Sequence, residues 1–154
     1  PGLFVVDRYV DGSWQRFVDG EGFAAIGPGG TAWVYEVAGR ANFAQSHEQG
    51  DLSIGRVDED GWREWSGPAE LTLPQDGLFK PGDDGTLWLG TVPKESTDDV
   101  SACDGITHFD GVSWAHYLRG RCVSAIDFAA DGAGWVLADE DLYVIAPETV
   151  TATE

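Results

Sequence analysis

The sequence has no methionine, two cysteines, three histidines and nine basic residues among 154. Each scarcity removes a class of function. A zinc site needs four ligands, and Cys103 and Cys122 form no Cys-x-x-Cys pair. His108 and His116 fall on consecutive strands flanking one turn and His47 in a long loop, so a third ligand on a common face is missing and no metal site is assigned. Nine Lys and Arg against 27 Asp and Glu give a formal charge of −18. Such a surface repels phosphate backbones and anionic lipid headgroups, so nucleic acid and membrane are excluded as expected partners. No apolar run approaches the roughly 18 residues that a membrane helix requires. No amphipathic stretch long enough for a helical repeat occurs either. No nucleophile elbow, Gly-rich phosphate loop or Ser/His/Asp spacing is found, so neither a catalytic residue nor a cofactor is assigned. The run Asp58-Glu59-Asp60-Gly61 lacks the spaced ligands and closing Glu of a calcium loop and reads as a turn. No signal peptide is visible, and the chain opens at Pro1, which leads us to expect a processed product or a piece of a longer protein.

What the sequence has in abundance points one way. Hydrophobic residues make up 42% and aromatics 12%, too much for disorder. The 21 glycines cluster with Asp in short pairs, which speaks for many tight turns and therefore an all-β fold. The length suits one domain able to bury a core. The shortage of Lys, Asn and Met beside plentiful Gly, Ala, Asp and Val fits a GC-rich bacterial genome. The many acids are explained by solubility and by keeping strand edges unsticky.

Three segments repeat. The first reads Leu3-Phe4-Val5-Val6-Asp7-Arg8-Tyr9, Asp11-Gly12-Ser13-Trp14-Gln15-Arg16-Phe17 and Gly29-Gly30-Thr31-Ala32-Trp33-Val34. The second reads Leu52-Ser53-Ile54-Gly55-Arg56-Val57, Asp60-Gly61-Trp62-Arg63-Glu64-Trp65 and Asp84-Gly85-Thr86-Leu87-Trp88-Leu89-Gly90-Thr91. The third reads Ile106-Thr107-His108-Phe109, Asp110-Gly111-Val112-Ser113-Trp114-Ala115-His116-Tyr117 and Asp131-Gly132-Ala133-Gly134-Trp135-Val136. From Gly12 to Gly61 is 49 residues and from Gly61 to Gly111 is 50. Four-stranded propeller blades repeat at roughly 40–50 residues. The spacing therefore predicts a partial β-propeller of roughly three four-stranded antiparallel blades. Their limits fall at residues 1–17 (partial), 18–65, 66–117 and 118–145 (partial), with 146–154 as a C-terminal tail. Six of the seven tryptophans take repeating places: Trp14, Trp62 and Trp114 after one Asp-Gly turn, and Trp33, Trp88 and Trp135 after the next. A residue needed once per blade is expected to pack between blades.

At these residues the sequence resembles the bacterial two-component regulator propeller repeat. The nearest copy runs Gly105-Ile106-Thr107-His108-Phe109-Asp110-Gly111, Trp114-Ala115-His116-Tyr117, Val123-Ser124-Ala125-Ile126-Asp127-Phe128, Asp131-Gly132 and Gly134-Trp135-Val136-Leu137-Ala138. Asp84 to Thr91 matches the last element of that pattern, whereas Ala69 to Lys80 is a poor copy of its Val-x-Ala-Ile strand, with Pro74 and Pro81 interrupting it. The resemblance implies a non-catalytic binding or sensing domain, or a protein-interaction segment, partnered by a protein or a small ligand. A more distant likeness to the virginiamycin lyase type of propeller keeps a lyase or hydrolase reading as the alternative.

Up-and-down connectivity puts the Asp-Gly turns on one face and the remaining loops on the other. Two of those remaining loops are long, residues 38–50 and 93–104. Long loops on a rigid scaffold are where binding residues gather. The candidate binding residues are Arg40, Asn42, Phe43, His47 and Glu48 from one loop and Lys94, Asp98 and Asp99 from the next. Arg119 and Arg121 are expected on the same face, as a positive spot for a carboxylate or as partners of neighbouring acids. Cys103 and Cys122 are expected on that face too. They meet as a disulfide, which would suggest an oxidising, extracytoplasmic compartment, or stay as two free thiols. Fewer than four blades cannot close a ring, so a homo-oligomer completing the propeller, or a fragment of a larger one, is expected.

Overall fold

Short runs rich in Val, Ile, Leu and Trp, bounded by Gly and Asp, form strands. The computed structural model describes residues 2–27, 30–36, 53–72, 78–82, 85–93, 103–130 and 132–146. Over these the chain is all-β, built of small antiparallel sheets that do not close into a ring.

The first sheet is a meander in chain order: β1 (Gly2–Val10), β2 (Ser13–Ile26), β3 (Ala32–Glu36), β4 (Ser53–Asp58) and β5 (Gly61–Ser66). β6 (Leu71–Thr72) and β9 (Val92–Pro93) form a two-residue ladder. Between them in sequence run β7 (Phe79–Pro81) and β8 (Leu87–Gly90), which join β10 (Ile106–Phe109) and β11 (Trp114–Tyr117) in a second sheet of order β11-β10-β8-β7. The third sheet is β12 (Val123–Phe128), β13 (Gly134–Ala138) and β14 (Asp141–Ile145). Gly12, Gly61 and Gly111 take positive φ at the β1–β2, β4–β5 and β10–β11 turns. In the first of these Asp11 joins Gly12 at positive φ, 50° and 82°, which is the turn that matches the strand twist. The β13–β14 turn carries Asp139 and Glu140 at φ 48° and 74° without a glycine.

The sheets stack face to face, and strand alternation sends successive side chains into different layers. Trp33, Tyr35 and Ile54 of the first sheet meet Leu87, Leu89 and Phe109 of the second, with Trp65, Phe79 and Trp114 around them. The ring of Trp33 meets Phe109 edge-on at 6.2 Å, and Trp65 meets Phe109 at 5.3 Å. The Arg56 guanidinium lies 5.3 Å from the Trp33 ring and 5.5 Å from Trp65, and pairs with Asp58 at 2.8 Å. The other face of the second sheet sends Trp88 and Ile106 against Ile126, Val136 and Ile145 of the third. Lys80 staples these two sheets: its ammonium donates to the Ile126 carbonyl at 2.9 Å and pairs with Asp127 at 2.8 Å. On the far side of the first sheet, Val6 of β1 packs on Ala32, Val34 and Val57, so the β1–β2 hairpin folds over its own sheet. Gly55 is required there: the Trp62 ring lies where a Cβ would be, 2.0 Å from it.

Two features differ from the expectation. β2 runs unbroken across residues 17 and 18, pairing first with β1 and then, from Gly22, with β3. Nothing in Val18-Asp19-Gly20-Glu21-Gly22 forbids extension, since no proline interrupts the stretch. The repeating tryptophans also do not share one environment. Trp33 and Trp88 are 0% and 5% exposed, whereas Trp135 is 44% and Trp14 71% exposed. The first two lie between sheets; the last two lie on terminal surfaces that no other described sheet covers.

Replacing Phe109 by Ala empties the middle of the layer between the first two sheets. Urea unfolding is expected to show a loss of about 3–5 kcal/mol. Gly55→Ala, which adds one methyl under Trp62, is expected to lower the unfolding midpoint as well, whereas Ala is ordinarily the safer residue.

Candidate functional site

Among the described residues, three surfaces carry chemistry. The first is the end of the sheets opposite the Asp-Gly turns. Cys103, just before β10, and Cys122, just before β12, are joined by a disulfide with their Cα atoms 4.9 Å apart. Hydrogen bonds cinch the same two segments. The Gly105 amide donates to the Arg121 carbonyl at 2.8 Å, and the Gly120 amide donates to the Asp104 carboxylate at 2.8 Å. The His116 Nε2 donates to the Asp104 carbonyl. Cys122 exchanges two bonds with Asp139: its amide donates to the carboxylate at 2.9 Å, and its carbonyl accepts the Asp139 amide at 3.1 Å. The guanidinium of Arg121 lies 3.4 Å from the Asp139 carboxylate, 3.9 Å from that of Asp141 and 5.8 Å from the Tyr143 ring. Arg121 is thus committed to the acids of the β13–β14 turn, and the expected positive spot is compensated within its own sheet. Arg119 is exposed beside it. Arg40, Asn42, Phe43, His47, Glu48, Lys94, Asp98 and Asp99 lie outside the described residues.

His108 and His116 occupy adjacent registers on β10 and β11 and so point to opposite faces of the sheet. His108 stacks on Trp88 at 4.3 Å. Asp58 accepts the Asp60 amide at 3.0 Å, as a turn residue does.

The second surface is a cleft of about 780 Å³ between the β1–β2 hairpin and the edge of β3. Tyr9 and Trp14 face each other across the hairpin, ring centroids 5.2 Å apart, and line it with the carboxylates of Asp7, Asp58 and Glu59. Its floor is made of small or branched residues, Ala24, Ile26, Ala32 and Val57. It can accept an apolar or aromatic group. The third surface is the outer face of β12–β14. There Trp135 pairs across the ladder with Val144, and Leu137 with Leu142, all four exposed. Sequence reasoning grouped Trp14 and Trp135 with the packing tryptophans. The signal that separates them is position in the array: a packing residue is buried only where another sheet follows.

Asp110, at the β10–β11 turn, is a structural carboxylate. Its oxygens accept the Ser113 amide at 2.7 Å, the Ser113 hydroxyl at 2.7 Å and the Val112 amide at 2.8 Å. The Ser113 amide above all, with the Ser113 hydroxyl, the Val112 amide and the charge of nearby His108, holds it below its ordinary value of 3.8, against burial, which ranks second in size and raises it. Because the folded value is depressed, its stabilisation is complete above the unfolded value and is lost as pH falls through the folded one. Thermal unfolding from pH 7 downward is therefore expected to show a steeper acid decline in wild type than in Asp110→Asn, with the difference confined below about pH 4. The disulfide closes a loop with a sequence separation of 19. Replacing both cysteines by Ser is expected to cost about 3 kcal/mol in urea unfolding, with reduced wild type behaving like the variant.

No protein-family model matches the chain, and neither a curated protein nor a solved structure matches it significantly.

Proposed function

We propose that the chain is a non-catalytic binding and protein-interaction segment of a β-propeller, resembling the two-component regulator propeller repeat, whose stacked sheets are successive blades. The observation that carries this reading is Trp135. It occupies on β13 the place that Trp33 has on β3 and Trp88 on β8, yet it is 44% exposed where they are 0% and 5%. Together with Leu137, Leu142 and Val144 it makes a contiguous apolar face on a chain of −18. A contiguous apolar patch rimmed by polar residues marks an interaction site. The up-and-down strand order and the 49 and 50 residue spacings support the propeller reading. The disulfide suits an oxidising, extracytoplasmic compartment. The lyase or hydrolase alternative would use His47, Glu48, Lys94 and Glu95, which lie outside the described residues, and no described observation favours it.

A photo-crosslinking residue such as benzoylphenylalanine placed at position 135 tests the reading in the cells that make the protein. The expected result is one discrete adduct heavier by a protein mass, with no such adduct from the same residue at Val112, an exposed turn position. No adduct at 135, or equal labelling at both positions, would contradict it.

A further inference from the structure

The register of the three sheets says what kind of surface covers a tryptophan at this position. Trp33 stands opposite Ala25 and Arg56, Trp88 opposite Lys80 and His108, and Trp135 opposite Asp127 and Val144. Trp33 is covered by the leading face of the second sheet, where Leu87 pairs with Phe109 and Leu89 with Phe79. Trp88 is covered by the leading face of the third. The same positions on the first sheet are Ala32 paired with Val57, and Val34 paired with Ala24. Small residues thus stand where the second sheet has two phenylalanines and two leucines. Three of them, Ala24, Ala32 and Val57, line the cleft beside β1–β2. One end of the chain presents an uncovered tryptophan ridge; at the other, the β1–β2 hairpin covers Ala32, Val34 and Val57 through Val6 and leaves open a cleft with exposed Ala24, Ile26, Tyr9 and Trp14.

We infer that the ridge of one copy docks into the cleft of a second copy, with Trp135 inserted over Ala24 and Ile26 and against the Tyr9 and Trp14 rings. This rests on the propeller reading above and names its partner: the chain itself. The two surfaces differ, so the contact is heterologous and head-to-tail, and repeats until the ring closes. A cleft of about 780 Å³ falls within the usual size range of pockets that hold bulky groups. The contact is apolar at its centre, and each copy carries −18. Added salt screens the repulsion between copies, so association strengthens as ionic strength rises, the opposite of what a basic partner would give.

Sedimentation velocity on the full chain, from micromolar to near-millimolar and in low and high salt, tests this. Wild type is expected to associate with rising concentration and more so in high salt. Trp135→Lys removes the ridge and Ala24→Trp fills the cleft, and each alone is expected to stay monomeric with an unchanged far-UV spectrum. Leu142→Lys, at a position 62% exposed, is a second ridge variant should Trp135→Lys misfold. An equimolar mixture of Trp135→Lys and Ala24→Trp restores one intact ridge and one intact cleft, and is expected to give a heterodimer that grows no further. A wild type that is monomeric at every concentration, variants that associate like wild type, or a mixture that stays monomeric would each overturn the inference. If wild type is monomeric while position 135 crosslinks to a different protein, self-docking fails and the proposed function stands. If position 135 captures nothing, both fail.

Discussion

The structure depends on aromatic side chains closing the gap between stacked sheets. A small antiparallel sheet with an apolar face is stable in water only when a second layer covers that face, because half of each strand's side chains need one. Here that layer is supplied by Trp33, Trp65 and Phe109 between the first two sheets and by Trp88, Phe128 and Tyr117 between the next two. Large flat rings bury much area per residue with few rotatable bonds, which suits strands of only four or five residues. Arg56 between Trp33 and Trp65, with Asp58 beside it, shows how a charge is accommodated in that layer.

The same constraint makes the ends of the stack chemically distinct from its middle. An identical position is core where another sheet follows and surface where none does. Trp135 is a ridge for that reason alone, and the cleft under Tyr9 and Trp14 follows from the hairpin covering only part of the face beneath it. At the opposite end from the Asp-Gly turns, the disulfide and the Asp104 and Asp139 networks lock the last two sheets together. Asp139, a non-glycine residue at positive φ, is held in the middle of that network, where surrounding bonds can sustain the strain.

The all-β class was legible from Asp-Gly pairs flanking short apolar runs, and the strand positions from the near-equal spacing of Gly12, Gly61 and Gly111. Periodicity reads local geometry well because turns and alternation are local. It could not show that β2 continues through residues 17 and 18, since extended backbone is open to that stretch whether or not a loop forms. Nor could it separate buried Trp88 from exposed Trp135, because their sequence neighbourhoods are alike and only the neighbouring sheet differs. The positive charge at Arg121 was visible in sequence, but its capture by Asp139 was not, because the acid sits 18 residues away and is brought near by the β12–β13 pairing.

Native-state hydrogen exchange tests the central claim, that stability is concentrated where sheets face each other through aromatic layers. The slowest amides should belong to β3, β8 and β10, which flank the Trp33–Phe109 layer, with β1 and β14 exchanging faster. Protection that is uniform across the strands, or greatest in β1 or β14, would contradict the account.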